Sequence, residues 1–223
     1  MSNRYLRHYS SQLDDLERAS LRRKLKISQS ATAPSMIING RDMLTFCSND
    51  YLGFASDPRI IEALREGALR YGAGSGASHL ISGHSAAHTA LEARLAEMQA
   101  PHLIEPRALF FSTGYMANLG AVTALVGRGD AIFADKLNHA SLNDAAQLSR
   151  AEFKRYQHGD LAMLERALAA HPARRKLVVT DAVFSMDGDI APVPALLDLC
   201  ERHDAWLLLD DAHGFGVLGA TGA

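Results

Sequence analysis

From about residue 107 onward, the chain alternates short apolar runs with longer segments of helical spacing. The apolar runs are Arg107–Phe111, Ala131–Ala134, Lys176–Thr180 and Ala205–Leu209. Leu164 and Leu168 share one face of a predicted helix that Asp160 is expected to cap. Strands that alternate with helices form right-handed crossovers and parallel sheets. The pattern therefore predicts an α/β fold with a mainly parallel sheet and helices on both faces.

Runs that are apolar throughout, such as Trp206–Leu209, favour strands covered on both faces. Upstream, a further helix is expected over about residues 84–99. We divide the chain into an N-terminal helical and hairpin segment, residues 1–50, and a large domain, residues 51–223. The first segment is expected to contain an amphipathic helix rich in basic residues and a hairpin around Asn39-Gly40.

The sequence stops soon after its last predicted strand. Gly-rich turns follow Asp210, and neither a covering helix nor a closing strand comes after them. We therefore expect the chain to be the front part of a longer protein, with a large domain that is incomplete at its C-terminus.

Charge and cysteine content restrict the function classes. The 223 residues include 23 lysines and arginines against 25 aspartates and glutamates, which removes the electrostatic case for nucleic-acid binding. Two cysteines, Cys47 and Cys200, suit a reducing compartment.

The uncharged stretch Ala108–Gly127 has the length of a membrane span, but its hydroxyl, amide and glycine residues favour strand, turn and buried helix. A cytoplasmic protein without membrane contact is expected.

Polar residues follow the predicted strands, and ligands of open α/β sheets bind beyond the carboxyl ends of strands. Ser112-Thr113-Gly114 opens a helix whose free N–H groups suit a phosphate. Asp210 ends the last strand, where its carboxylate can pair with a protonated pyridine nitrogen. At about 3 Å and an effective dielectric near 20, that attraction is roughly 5 kcal/mol before desolvation. A protonated pyridine is the electron sink of pyridoxal phosphate.

Other side chains at the same edge complete this hypothesis. His139 is expected to lie against the ring, and Ser185 and His213 to hydrogen-bond its phosphate or phenolic oxygen. These residues come from loops after three different strands.

Five sequence motifs then carry a resemblance to a known family. They are "SNDYLG" at Ser48–Gly53, "GSGAS" at Gly74–Ser78, "NHASL" at Asn138–Leu142, "VFSMDGD" at Val183–Asp189 and "DDAHGFGVLG" at Asp210–Gly219. Together, from about residue 20 to the end, the sequence resembles the α-oxoamine synthases. These are pyridoxal-phosphate enzymes of the fold-type I aminotransferase superfamily.

The resemblance implies roles for individual residues. Gly114 and Tyr115 would hold the cofactor at the helix N-terminus, and Asp210 would pair with the pyridine nitrogen. His139 would stack on the ring and help orient substrate, and Ser185 and His213 would contact the cofactor. The resemblance implies a catalytic set that consists of His139, Asp210 and His213. Arg22 would meet the acyl substrate, with Arg23 and Lys24 as adjacent candidates, and Asn49 would lie on the substrate side.

The resemblance also implies a reaction and an assembly. Within the family, the motifs at both ends favour a homodimeric acyltransferase of biotin biosynthesis, which condenses L-alanine with a pimeloyl thioester and releases carbon dioxide. A glycine C-acetyltransferase type is the alternative, although such members more often carry Ser in place of Ala212. The family's Schiff-base lysine is expected beyond Ala223, because none of the chain's five lysines lies in its motif. This chain alone is expected to be inactive.

Other interpretations remain beside this one. A P-loop-like NTPase would explain Leu207–Asp211 but lacks the phosphate-loop lysine. A truncated homologue that acts only as a binding protein is another alternative. His84 and His88 share a helix face and His79 is near, yet no helical Glu lies between the pair and no third ligand is evident, so no metal site is predicted. Asp187 and Asp189 are expected to shape a turn around Gly188 and not to act as an acid/base pair.

Overall fold

The computed structural model describes residues 4–100, 103–220 and 222 and divides the chain into two units between Glu66 and Gly67. The first unit contains α1 (Arg4–Arg18), β1 (Ser35–Ile38), β2 (Arg41–Leu44), a short 3-10 turn (Phe54–Ser56) and most of α2 (Pro58–Tyr71). The predicted boundary at residue 50 remains a prediction.

The predicted hairpin in the first unit is confirmed. Strands β1 and β2 pair antiparallel, with Ile38 opposite Arg41. Asn39 and Gly40 have φ of 50° and 74°, the positive values that a two-residue type I′ turn requires at both positions. The predicted amphipathic helix corresponds to α1, which ends before the basic segment around Arg22.

The second unit alternates helices with strands. A π-helical turn (His79–Gly83) precedes α3 (Ala86–Gln99) and α4 (Gly114–Leu125), and the elements that follow are β3 (Ala131–Asp135), α5 (Ala140–Ser149), β4 (Glu152–Tyr156), α6 (Leu161–Ala170), β5 (Lys176–Asp181), α7 (Val193–Arg202) and β6 (Ala205–Asp210). The strands form a parallel sheet in the order β4-β3-β5-β6. The α/β fold with a parallel sheet is therefore confirmed.

Alternating side chains of the central strands build two cores, one on each face of the sheet. On one face, Phe133 and Val178 pack in a cluster with leucines of α6 and α7, such as Leu164 and Leu196. On the other, Ile132 lies in a cluster with small residues of α4 and α5. Strand β3 is buried along its whole length. This core holds the carboxyl ends of the strands in fixed positions.

One detail of the predicted sheet is wrong within the described residues. The run Arg107–Phe111 forms no strand, because the Phe110 N–H donates to Glu92 Oε1 at 2.9 Å instead of to a neighbouring strand. Strand β6 lies at an edge of the sheet with Trp206 50% exposed, but the next two residues are covered as predicted, because Leu207 and Leu208 pack against the clusters on opposite faces.

The sequence analysis also missed one strand. The sequence of β4, Glu152–Tyr156, contains three charged residues and no continuous apolar run, yet it pairs with β3 along its whole length. It forms the other edge of the sheet, where charged side chains face solvent. Across the described ranges, no helix is long and apolar enough to cross a membrane.

Candidate active site

The carboxyl ends of β3, β5 and β6 bring acidic and imidazole groups together. In the register of the sheet, Asp181 at the end of β5 pairs with Asp210 at the end of β6. His139 lies in the loop after β3, and its backbone N–H donates to Asp181 Oδ2 at 2.7 Å. Asp181 thus contacts His139 directly and is paired in register with Asp210, so residues from the ends of three strands lie next to one another.

Asn118, in the second turn of α4, forms hydrogen bonds with residues at this edge of the sheet. Its Nδ2 donates to Asp210 Oδ2 at 2.7 Å and to Ser141 Oγ at 2.9 Å. An amide nitrogen has two hydrogens, so both bonds form at once. The Asp210 carboxylate, whose Oδ1 also accepts the Ala212 N–H at 3.1 Å, is therefore held in one orientation.

The hydrogen bonds also assign the tautomer of His139. Ser141 Oγ lies 2.7 Å from His139 Nδ1, and the Ser141 N–H points to the same nitrogen at 3.3 Å. Nδ1 therefore accepts hydrogen bonds, and the proton of the neutral ring is on Nε2. The imidazole caps α5 and remains exposed beside the acidic edge.

Two carboxyl groups here have raised pKa values. Burial raises the pKa of Asp181, the charge of Asp210 adds to this effect, and the His139 N–H and the nearby His213 oppose it. Burial and the charge of Asp210 also raise the pKa of Asp211. Crowded carboxylates favour a positive group in their vicinity, and a protonated heterocyclic nitrogen is such a group.

The start of α4 provides a second type of binding group. Thr113 caps the helix by accepting the Met116 N–H at 3.1 Å. A Cβ added at Gly114 would have no atom within 4 Å, so the space beside this backbone is open. Tyr115 donates its hydroxyl to Asp144, which joins α4 to α5 and raises the Tyr115 pKa. The first N–H groups of the helix suit a phosphate.

The donor set fits pyridoxal phosphate. The fixed Asp210 carboxylate matches a protonated ring nitrogen, and the open helix start matches a phosphate group. Helix α4 connects the Asp210 carboxylate to the helix start, because Asn118, which bonds to Asp210, lies four residues after Gly114 on the same helix face.

The other predicted residues lie elsewhere. Ser185 is exposed in the turn between Phe184 and Asp189, and within the described part of the chain it has no hydrogen bond to the Asn118 network. In the first unit, Arg22 follows α1 with its Nε 3.5 Å from Glu17 Oε2, and Asn49 lies in an exposed loop. The roles of these three residues remain predictions.

The turn around Gly188 is confirmed, and one of its acids has a further partner. Gly188 has φ of 77°, and its N–H donates to the Phe184 carbonyl at 2.8 Å. Asp189 Oδ2 lies 2.7 Å from His158 Nε2, and Nδ1 of the same ring lies 3.0 Å from Asp135 Oδ1. Asp135, at the carboxyl end of β3, is therefore connected to this turn through His158, which follows β4.

Sequence reasoning missed Asn118 and His158. A signal existed for Asn118, because it is a polar residue within an otherwise apolar helix and lies one turn after Gly114. No comparable signal marks His158, whose two carboxylate partners are 23 and 31 residues away in sequence. The Gly-rich segment 72–76 follows α2 and not a strand, which distinguishes it from a phosphate loop.

Comparison with known proteins agrees with this geometry. An 8-amino-7-oxononanoate synthase from Nitrosospira multiformis is 69% identical over 194 residues, which cover 87% of this chain and 48% of the relative. The chain thus spans about half the length of the curated relatives it matches. Among solved structures, a serine palmitoyltransferase from S. paucimobilis with a bound PLP–myriocin aldimine is 31% identical with a TM-score of 0.87, covering 96% of this chain and 54% of that one.

A second solved structure is an 8-amino-7-oxononanoate synthase from Francisella tularensis. It is 34% identical with a TM-score of 0.64 and covers 79% of this chain and 47% of that one. These matches confirm the predicted fold-type I class and the family resemblance. The family model described as aminotransferase class I and II matches residues 41–223. The chain therefore belongs to the aminotransferase class I and II family.

Proposed function

We propose that this chain forms the cofactor-binding part of a pyridoxal-phosphate enzyme. The observation that carries the proposal is the Asp210 carboxylate, fixed at the end of β6 by Asn118 and adjacent in register to Asp181. The presence of pyridoxal phosphate in a structural relative supports the same cofactor.

Individual residues of this chain would then have separate roles in binding the cofactor and the substrate. Asp210 holds the proton on the ring nitrogen, and Asn118 keeps the carboxylate oriented. The N–H groups at the start of α4 would bind the phosphate, and His139 would lie beside the cofactor and orient substrate. When bound, pyridoxal phosphate stabilises the negative charge that develops on an amino-acid carbon.

For the whole protein, we propose 8-amino-7-oxononanoate synthase activity, the condensation of L-alanine with a pimeloyl thioester with release of carbon dioxide. The relative that is 69% identical carries this name, and further relatives at 58–63% identity carry the same one. Glycine acetyltransferases more often carry Ser at the position of Ala212, so Ala212 favours the synthase that uses L-alanine. Arg22 and Asn49 are proposed substrate contacts, and the homodimer and the cytoplasmic location are part of the same proposal.

The lysine that would hold the cofactor covalently is proposed to belong to the remainder of the whole protein. Three lysines of this chain already have partners: Lys24 pairs with Glu17 at 2.7 Å, Lys154 with Glu152 at 3.0 Å, and Lys176 donates to the Leu168 carbonyl at 3.0 Å. Lys176 also begins β5, at the end of the strand opposite to Asp181.

The test uses the protein expressed at the full length of its relatives. Release of the thiol from a pimeloyl thioester is measured with L-alanine and compared with glycine and acetyl-coenzyme A. We expect turnover with the first pair. Asp210→Asn should reduce this turnover at least about 100-fold, since it removes the charge that stabilises the transition state, whereas Asp198→Asn on the exposed face of α7 should not.

Three results would contradict the proposal in different ways. Preference for glycine and acetyl-coenzyme A would favour the acetyltransferase alternative. Pyridoxal-phosphate binding without turnover of either pair would favour a binding protein. Full activity of Asp210→Asn would remove the role of the carboxylate.

A further inference from the structure

Four side chains that the proposed function does not use form a cluster before and within α3. We call His79, His84, His88 and Glu92 the histidine cluster. His84, His88 and Glu92 follow each other at four-residue intervals, so they succeed one another along one side of the helix and its N-terminal extension. His79 joins them from the π-helical turn.

The nitrogen and oxygen atoms of this cluster are close together. His84 Nδ1 lies 3.2 Å from His79 Nδ1. The other nitrogen of the same ring, Nε2, lies 2.9 Å from Thr89 Oγ1 and 3.9 Å from Glu92 Oε2, so His84 can offer only one of its two nitrogens to an ion shared with His79 and Glu92. Taking one donor atom each, His79, His84 and Glu92 fall within 4.8 Å of one another. Four ligands at the usual bond lengths of zinc lie about 3.4 Å apart, so side-chain rotations that bring these donor atoms closer would be needed to complete a tetrahedral arrangement.

The backbone and neighbouring groups keep the cluster in place. A Cβ at Gly83 would lie 1.9 Å from the Ala77 carbonyl oxygen, so only glycine permits the close turn between His79 and His84. Glu92 is largely buried, and its Oε1 accepts the Phe110 N–H at 2.9 Å. Such hydrogen bonds orient ligands in metal sites and raise affinity.

The chemistry of the facing imidazoles also favours a cation. Two ring nitrogens 3.2 Å apart can share only one proton between them. A divalent ion that replaces this proton binds both lone pairs, and the carboxylate of Glu92 supplies a negative charge. Imidazole with carboxylate is a ligand set typical of zinc.

We propose that His79, His84 and Glu92 bind one Zn²⁺ ion, with solvent in the fourth position and the His88 ring packed against His79 and His84. The His88 ring centroid lies 4.8 Å from that of His79, and its Nδ1 caps α3 by accepting the Ser85 N–H at 3.1 Å. The sequence analysis predicted no metal here because the third ligand, Glu92, becomes evident only from its contact with His84.

The test is a titration of the metal-free chain with Zn²⁺ in a Cys47→Ser background, which removes the exposed thiol as a competing ligand. We expect one ion per chain with a micromolar dissociation constant and release of protons on binding. Titration with Co²⁺ should give the intense visible bands of a tetrahedral ion.

Variants assign the ligands. His84→Gln and Glu92→Gln should each weaken Zn²⁺ binding by at least about ten-fold, as loss of a ligand or of its orientation does. Gln at position 92 can still accept the Phe110 N–H, so the fold is preserved. His8→Gln, which changes an exposed histidine in α1, serves as the matched control and should bind like the parent.

The proposal is overturned if the parent chain binds no Zn²⁺ at millimolar concentration. It is also overturned if the variants at positions 84 and 92 retain the parent affinity, or if the His8 control loses as much affinity as they do.

Discussion

The side-chain amide of Asn118 donates to the Asp210 carboxylate across 2.7 Å and joins the second turn of α4 to the end of β6. The same nitrogen donates to Ser141, which contacts the His139 ring. One amide therefore orients both the carboxylate and the imidazole that we assign to the cofactor. Asn118 is a positioning residue in this arrangement, since it acts through Asp210 and His139.

Replacing Asn118 should disturb cofactor binding more than folding. Hydrogen bonds to charged groups contribute about 1.5–3 kcal/mol, so Asn118→Ala should lower the affinity of the chain for pyridoxal phosphate about ten-fold or more. A fluorescence titration measures this affinity. The absorbance of the bound cofactor between pH 6 and 9, a range chosen to bracket neutrality, tests whether the ring nitrogen loses its proton more readily in the variant.

Thr123→Val is the matched control for Asn118, because Thr123 lies in the same helix and, among the residues that the structure describes, its hydroxyl bonds only to carbonyls of its own helix, Leu119 and Gly120. We expect its affinity for pyridoxal phosphate to match that of the parent chain. Equal losses in both variants would mean that α4, and not the Asn118 amide, determines binding.

Gly114→Ala should separate stability from phosphate binding. An added Cβ meets no atom within 4 Å, and alanine favours helices over glycine, so the free energy of unfolding should stay constant or rise by up to about 1 kcal/mol. Affinity for pyridoxal phosphate should fall, because the methyl group occupies the space beside the first N–H groups. Urea unfolding and the same titration measure the two quantities. A variant with lower stability, or with unchanged affinity, would contradict this assignment.

His158 should make stability depend on pH. Burial lowers its pKa, but the hydrogen bonds with Asp135 and Asp189 outweigh this effect, and the pKa is raised above the ordinary 6.5. The protonated ring therefore stabilises the fold fully below pH 6.5, and this contribution is lost as the pH rises through the raised value. The difference in unfolding free energy between the parent chain and His158→Gln should be large in mild acid and shrink in base.

Denaturant unfolding at a series of pH values measures that difference, since other titrating groups cancel between parent and variant. A difference for His158→Gln that grows as the pH rises would contradict the direction of the pKa shift.

Neighbouring leucines in α7 should differ strongly in their contribution to stability. Leu196 is 2% exposed in the core of one sheet face, whereas Leu197 is 48% exposed. Leu196→Ala should lower the free energy of unfolding by about 2–5 kcal/mol through lost burial and the cavity left behind. Leu197→Ala should cost well under half as much, and urea titration of both variants measures the contrast. Equal losses would place the core of this unit elsewhere.

Much of the second unit follows from local sequence patterns. The Asp160 cap is present, with its carboxylate accepting the Met163 N–H at 2.8 Å, and three of the four predicted apolar runs form strands. The failures have a common cause. Arg107–Phe111 lacks a partner strand and β4 has one, and strand formation depends on that partner as much as on the segment itself.

The class of fold, the strand ends that carry polar side chains, and the candidate roles of His139 and Asp210 could all be predicted from the amino-acid sequence, because capping, periodicity and turn residues act between near neighbours. Three contacts became known only from the folded chain: Asn118 donates to Asp210 from 92 residues away, His158 contacts two carboxylates, and Glu92 approaches His84. Such contacts require atoms to lie within about 4 Å, and that condition is set by how helices and strands pack, which no local pattern encodes.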